Sequence, residues 1–396
     1  MEPKLTKGPG VSLKNKPNFI QWLKLNLFNS WFNTLLTVLS LVVIVSVLTG
    51  VITWGVGANW SVISANFKLL IIGQYPVAHL WRAWVSLLVL MFLLGLSYGL
   101  YRNNILKVVF YFIAALVALH VVLPFITIGS KGWLVGAIAT LFMGMLIGRR
   151  FPSLKKFSIV GWLLLYPVVI FFLNGFGILP TVKTNAWGGF TLNIIIASSA
   201  IVFSFPLGVL LALGRASKLP VIRSVCIFYI ELIRGVPLIS LLIVAMLVIP
   251  LFLPAGITID SILRVTIAVT LFNAAYIAEN VRGGLQSIPK SQYEAADALG
   301  LNVWKRTAFI ILPQALRVTV PSMVGQSISI FKDTTLVAIV GVVDLLGIGR
   351  AVMANPEFLG TQKEIYVFVA FVFWLFCYLM SITSKQIEKS LKTSHS

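Results

Sequence analysis

Residues 287 to 313, Ser287-Ile-Pro-Lys-Ser-Gln-Tyr-Glu-Ala-Ala-Asp-Ala-Leu-Gly-Leu-Asn-Val-Trp-Lys-Arg-Thr-Ala-Phe-Ile-Ile-Leu-Pro313, form a charged, well-punctuated stretch between long apolar runs. Pro289 suits the first turn of a helix, where its missing N–H has no partner to lose, and Ser287 or Ile288 stands just before it. Gly300 can take the left-handed conformation that ends a helix. Asn302 can cap the next one by offering its side-chain oxygen to free backbone N–H groups, and Pro313 stops or kinks that second helix. Val303, Trp304, Thr307, Ala308, Ile311 and Leu312 recur at the period of one helical face. The spacing predicts a helix, a tight corner and a second helix. Ala295, Ala296 and Ala298 keep the first helix slim enough to enter a cleft, while Glu294 and Asp297 offer charge-assisted contacts to a basic partner.

Outside this stretch the composition sets the class. Hydrophobic residues make up 59% of the chain and charged ones 11%, against about 45–50% and about 25% in soluble domains. The chain reads as an all-α integral membrane protein. Apolar runs near the span threshold of ~18 residues lie at 34–53, 84–101, 105–124, 132–148, 158–174, 189–213, 225–250, 262–281, 317–345 and 365–384, so about ten transmembrane helices are expected. Pro206 and Pro321 fall inside two of them, which neighbouring helices can tolerate by satisfying the freed backbone groups.

The net charge of +20 is spread in a way that speaks of orientation and excludes nucleic acid as its cause. Most of the 31 Lys and Arg fall in alternate connections: Lys4 to Lys24, Arg102 and Lys107, Arg149 to Lys156, Arg215 to Arg223, Arg282 to Arg317, and Lys385 to Lys392. By the positive-inside rule those connections, both termini and the 287–313 segment face the cytoplasm. No cleavable signal peptide is apparent, because the first apolar run follows a long basic stretch and lacks a small-residue cleavage site; it reads as an anchor. Cys226 and Cys377 give no disulfide framework, and His79, His120 and His395 are scattered, so no metal site is expected.

The chain divides near residue 180. Residues 1–33 read as a cytoplasmic N-terminal segment, 34–180 as an extension of about five spans, 181–390 as a second set of about five helices and 391–396 as a tail. A long outer loop, 55–83, is flanked or occupied by Trp54, Trp60, Trp81 and Trp84, which suit a membrane interface. Gly95 and Gly99, Gly132 and Gly136, and Gly144 and Gly148 are spaced for close helix approach. Residues 174–180 and 187–189 read as outer loop.

Polar residues inside apolar runs are the candidates for function, since an ionisable group at the centre of a span costs about 2.5–3.5 kcal/mol. Lys332-Asp333-Thr334-Thr335 interrupts the ninth run and is read as lining a pathway or contacting a zwitterion; the alternative is an internal salt bridge pinning two spans. Glu231 and Arg234, one turn apart, are expected to pair with each other. Asn273, Gln326, Ser327 and Ser329 either line a hydrated cavity or make interhelical hydrogen bonds. Glu279 and Arg282, at the end of the eighth run, are expected to anchor the 287–313 segment.

Glu294-Ala-Ala296, Gly300 and Ile310-x-Leu312-Pro313 together resemble the cytoplasmic loop of bacterial ABC importer permeases. Glu231-Leu-Ile-Arg-Gly-Val-Pro-Leu238, Ala278-Glu-Asn-Val-Arg-Gly-Gly-Leu285 and Phe331-Lys-Asp-Thr-Thr-Leu336 narrow the resemblance to permeases for polar amino acids, over roughly residues 185 to 390. The long N-terminal half departs from minimal five-span members and resembles the larger of two paired permeases in general amino-acid uptake systems. The resemblance implies a coupling segment seated in a separate ATPase subunit, with Tyr293, Glu294, Ala295, Ala296, Asp297, Gly300 and Pro313 as its coupling residues. It implies a bacterial cytoplasmic membrane, an extracytoplasmic amino-acid-binding protein, and a related second permease, a heterodimer being favoured over a homodimer. ATP and magnesium would be bound by the ATPase, for this chain has no Gly-x-x-x-x-Gly-Lys-Ser/Thr phosphate cradle and needs no cofactor of its own. An ATPase-independent secondary transporter or channel is the rival reading; it would explain Lys332 and Asp333 but leave the 287–313 segment without a purpose. A membrane enzyme would need a nucleophile, metal set or paired acids in one pocket, and the chain is expected to be non-catalytic.

Overall fold

In a computed structural model, residues 19–101, 110 and 128–392 are described. The expected run at 105–124 therefore lies outside the described residues, as do Arg102, Lys107, the first 18 positions and the last four. The chain falls into two compact units, Met1–Asn59 and Trp60–Ser396.

The first unit holds α1 (Phe19–Asn26) and α2 (Trp31–Gly57). Ser30 opens α2 by accepting the N–H of Asn33 through its hydroxyl, and nothing in α2 is buried within the unit. A helix that is apolar on every side, with a mean hydropathy of 2.8, suits a surround of lipid.

The second unit contains α3 (Leu80–Tyr101), α4 (Ile128–Arg150), α5 (Lys155–Asn174), α6 (Gly189–Arg215), α7 (Pro220–Arg234), α8 (Leu238–Ile243), α9 (Ser261–Gln286), α10 (Lys290–Ala298), α11 (Leu312–Asp333), α12 (Leu345–Met353) and α13 (Gln362–Lys392). Among the described residues seven helices are long and apolar enough to cross a membrane, or up to nine if each bent pair is one span. One of those pairs corrects the expected single run at 225–250. There α7 and the segment from Leu238 to Phe252 meet at 103°. Gly235 closes α7, and Pro237, which has no N–H to continue a helix, restarts the chain as the cap of α8.

Two of the three glycine pairs hold helices together. A side chain at Gly95 or Gly99 would overlap the carbonyl of Leu141 or Met145, and one at Gly144 or Gly148 would overlap that of Phe92 or Leu96, so α3 and α4 touch backbone to backbone. Gly132 meets nothing and Gly136 meets only a Leu88 methyl, so that pair makes no such seam. Trp162 Nε1 donates to Ser97 Oγ at 2.8 Å and fastens α5 to α3.

The expected outer loop at 55–83 is folded. Short helices at Ser61–Ala65 and Phe67–Ile72 bury Val62, Leu70 and Ile72, because apolar residues there cover the start of α6. Thr191 Oγ1 donates to the carbonyl of Ile71 at 2.8 Å. At this crossing Gly189 has φ 60 and its backbone lies against the Leu70 carbonyl, a place no Cβ could occupy. Tyr75 donates from its hydroxyl to the carbonyl of Leu173 at 2.8 Å, and Arg82 Nη1 to that of Pro180 at 2.8 Å. Both bonds hold the connection between α5 and α6 against this segment.

The lower core is likewise set by small residues. Gly208 of α6 meets Ile277 and the Ala274 carbonyl of α9, and Gly284 of α9 meets the Ala315 carbonyl of α11. Residues 287–313 hang from the end of α9 that this packing fixes.

Candidate functional site

The corner forms largely as its residues dictate. Pro289 sits just ahead of α10, at ψ 144, rather than inside its first turn. At the other end Leu301 N–H donates back to the Ala296 carbonyl at 3.2 Å and Gly300 N–H to that of Asp297 at 2.9 Å, with Gly300 at φ 70. That left-handed closure satisfies carbonyls that would otherwise be orphaned. Asn302 Oδ1 then accepts the N–H of Lys305 at 2.9 Å and starts the next helix.

Beyond this point the structure corrects the sequence reading. The second helix does not stop at Pro313: it runs from Val303 through to Val340 as one 38-residue span. A π-turn at Arg306–Ile311 leads directly into α11, so Pro313, which has no N–H to donate, follows a widened turn within the continuous helix. The same turn shifts the register, so the apolar positions do not share one face: Val303 and Trp304 are exposed and Ile311 is buried. Asp297 pairs within the corner with Arg306 at 2.6 Å while 54% of its side chain stays exposed, and Arg306 also lies over the Tyr293 ring at 5.5 Å. Glu294 is exposed and has no ion pair among the described residues. Ala295 and Ala298 are exposed, whereas Ala296 is buried beneath them. Leu299, Trp304 and Phe309 present 78%, 72% and 70% of their surface.

Ile288, Ile311 and Ala315 pack beneath the corner with Leu285, Tyr293 and Ile310. Immediately above lies an ion network that joins three helices. Glu279 of α9 accepts from Arg215 at 2.7 Å and from Arg282 at 2.8 Å, with Arg234 at 3.7 Å. Glu231 of α7 accepts from Arg215 at 2.9 Å. The expected Glu231–Arg234 pair is thus replaced: Arg215, the last residue of α6, reaches Glu231, while Arg234 turns toward Glu279 and the Tyr276 ring. Sequence reading placed Arg215 in a connection and gave it no partner. Glu279 and Arg282 lie near the end of α9, ahead of residues 287–313, and the bonds they make among the described residues go to each other, Arg215, Arg234 and Gln286.

The polar residues of the ninth run part company. Lys332 and Asp333 end α11, and Thr334 begins a 3₁₀ stretch to Val340, so they mark a change of helix geometry rather than a helix middle. Lys332 is exposed and Asp333 half-buried; neither makes an ion pair among the described residues, and the alternative of a bridge between two spans is not formed. Thr334 is fully buried and accepts from Asn193 Nδ2 at 2.9 Å, so it faces protein. Thr335 Oγ1 donates to the Lys332 carbonyl at 2.9 Å, and Ser327 Oγ to that of Met323 at 3.0 Å. Gln326 Nε2 donates to Asn273 Oδ1 at 2.8 Å, an interhelical bond between α11 and α9.

Sequence reading missed the partners of Thr334. Asn193 also donates to Asp344 Oδ2 at 2.9 Å and accepts from the Leu345 N–H at 2.9 Å, while Asp344 caps α12 by accepting from Gly347 N–H at 2.8 Å. All three side chains are fully buried, which is affordable only because each is bonded. An Asp followed three residues later by Gly at the edge of an apolar run was the available signal.

Among the described residues no group of His, Cys, Asp and Glu could hold a metal ion. Residues 204–393 match the family model described as a binding-protein-dependent transport system inner membrane component. The inner membrane amino-acid ABC transporter permease protein YhdY of Escherichia coli K12 is 34% identical over 407 residues, 98% of this chain and 97% of that protein. The glutamate/glutamine/aspartate/asparagine transport system permease protein BztC of Rhodobacter capsulatus is 38% identical over 419 residues, 95% and 94% of the two chains. The L-cystine transport system permease protein TcyB of Bacillus subtilis is 33% identical over 204 residues, covering 52% of this chain and 85% of its own. Among solved structures, an amino acid ABC transporter crystallised with histidines aligns with a TM-score of 0.46 and 24% identity over 51% of this chain and 92% of that one.

Proposed function

We infer the task of this chain from its family, for it belongs to the amino-acid ABC transporter permeases: it is the membrane-spanning permease subunit of an importer. The observation that carries this is near full-length identity to two such permeases. Permeases of this family serve importers of the bacterial inner membrane that use an ATPase and a binding protein. The cargo on our reading is polar L-amino acids, the class that the relatives' names suggest. ATP and its magnesium belong to the ATPase, and this chain does no covalent chemistry; the lack of a phosphate cradle in its sequence supports that.

The coupling surface is the corner from Lys290 to Trp304, docked on the ATPase. Exposed Glu294, Ala295, Leu299 and Trp304 support the assignment. Tyr293, Ala296, Asp297, Gly300 and Pro313 shape the corner from within. A push on α10 reaches α9 through the turn at Ser287–Pro289, and Glu279 passes it to α6 and α7, which end or bend nearby. The concentration of Arg at this end supports a cytoplasmic corner and cytoplasmic termini.

The pathway lies between this chain and a second, related permease, with Lys332, Asp333 and Thr335 at the seam. The exposure of Lys332 supports it. Residues 181–390 form the transport core, supported by the match over 204–393 and by relatives that cover about half of the chain; the spans at 34–180 are an extension to it. The test is uptake by the reconstituted assembly from a panel of radiolabelled amino acids. Uptake that requires ATP and favours polar amino acids is expected. Uptake driven by an ion gradient without ATP would return the chain to the secondary transporters.

A further inference from the structure

Beside the foot of the corner lies a cavity of about 540 Å³ lined by nine residues, three of them arginines (Arg215, Arg223 and Arg282) and the others mainly apolar, among them Ile227, Leu285 and Ile288. Its volume falls in the range of small-ligand sites, about 300–1,000 Å³. The charge around it is not balanced. Arg215, Arg223, Arg234 and Arg282 share only Glu231 and Glu279, and the Arg223 side chain has no ion pair among the described residues. Arg223 is exposed, and Arg215, Arg234 and Arg282 keep 23%, 36% and 37% of their side-chain surface; an oxyanion reaching them from outside can join neighbouring guanidinium groups with charge-assisted bonds. Arg215 ends α6, Arg223 lies in the first turn of α7 and Arg282 in the last turn of α9, so the cavity sits where spans leave the bilayer. Basic pockets between spans at that depth suit phosphate head groups, and the Ile and Leu side chains suit the acyl-bearing glycerol that follows one.

We propose that this cavity binds the head group of an anionic phospholipid, with Arg223 as its unpaired phosphate ligand. Because Ile288 and Tyr293 of the 287–313 segment line the same cavity, the lipid also braces the root of the corner.

The test uses the purified permease-containing complex in neutral detergent, titrated with phosphatidylglycerol or phosphatidylcholine and read by native mass spectrometry. Wild type should retain phosphatidylglycerol in preference to phosphatidylcholine. Arg223→Gln should weaken that retention about fivefold, as loss of one basic contact implies. Lys218→Gln, a neighbour outside the cavity, should leave it unchanged. Thermal unfolding of both variants shows whether they remain folded, and Arg223→Lys, which keeps the charge, should restore most of the preference. Equal retention of the two lipids by wild type, or an unaltered preference in Arg223→Gln, overturns the proposal. Displacement of the bound species by inorganic phosphate, without preference between lipids, assigns the cavity to a soluble anion and also overturns it.

Discussion

Gly300→Ala isolates the backbone that makes the corner. At Gly300 φ is 70, and a Cβ placed there meets nothing within 4 Å. Any effect of alanine therefore comes from conformation alone, without a clash. The left-handed region costs an L-residue about 1–2 kcal/mol. Alanine also stiffens the unfolded segment, which returns about 0.4–1 kcal/mol. The net penalty is about 1 kcal/mol, or about fivefold in the ratio of closed to open corner. The Leu301 N–H reports that ratio, because it is bonded to the Ala296 carbonyl only while the corner is closed. Hydrogen exchange at Leu301 should run about fivefold faster in Gly300→Ala. Gly300→Asn should show a smaller effect, since asparagine tolerates this region, and amides of α9 should be unchanged. Equal exchange in wild type and Gly300→Ala, or faster exchange in the Asn variant than in the Ala variant, would refute the reasoning.

Glu279→Gln removes the charge shared by Arg215 and Arg282 and turns one of the two accepting oxygens into an NH2 donor that faces a guanidinium; with the Glu279 side chain only 14% exposed but its partners 23% and 37%, the expected loss is about 2 kcal/mol, seen as a lowered melting temperature in detergent. Gly144→Leu drives a side chain into the Phe92 carbonyl and should separate α3 from α4, measured as loss of a cysteine cross-link between the two helices, while Gly132→Leu should keep it. Asp333→Asn should lower uptake affinity or rate in vesicles if the residue belongs to the pathway; unchanged kinetics would remove it from that role.

What could be read from the sequence was local. Gly300, Asn302 and Pro289 shape a corner through the conformations and hydrogen bonds of their own neighbourhood, so their types alone foretell it. The glycine pairs of α3 and α4 were legible because close approach demands a missing side chain on both sides. The Glu231–Arg234 expectation failed for the opposite reason. One-turn spacing permits a pair, but Arg215 and Glu279, 64 residues apart, decide which pairs form. Asn193 and Asp344 escaped notice because a single polar residue in an apolar run does not announce its partner. The stop expected at Pro313 does not occur, because a π-turn just before it carries the helix on, and Ile311 and Ala315 there pack against Ile288, a contact that the local pattern does not announce.

The account stands most directly on where residues 290–304 dock. Ala295 is exposed on α10, and Ile178 is 79% exposed in the connection between α5 and α6. In the intact assembly, with Cys226 and Cys377 replaced by serine, a single cysteine at each position should be treated with a short cross-linker. The account predicts that Ala295→Cys joins the ATP-hydrolysing subunit in a nucleotide-dependent yield and that Ile178→Cys does not. An Ala295→Cys chain that never links to that subunit, or that reacts only with a reagent confined to the outer side, would contradict it.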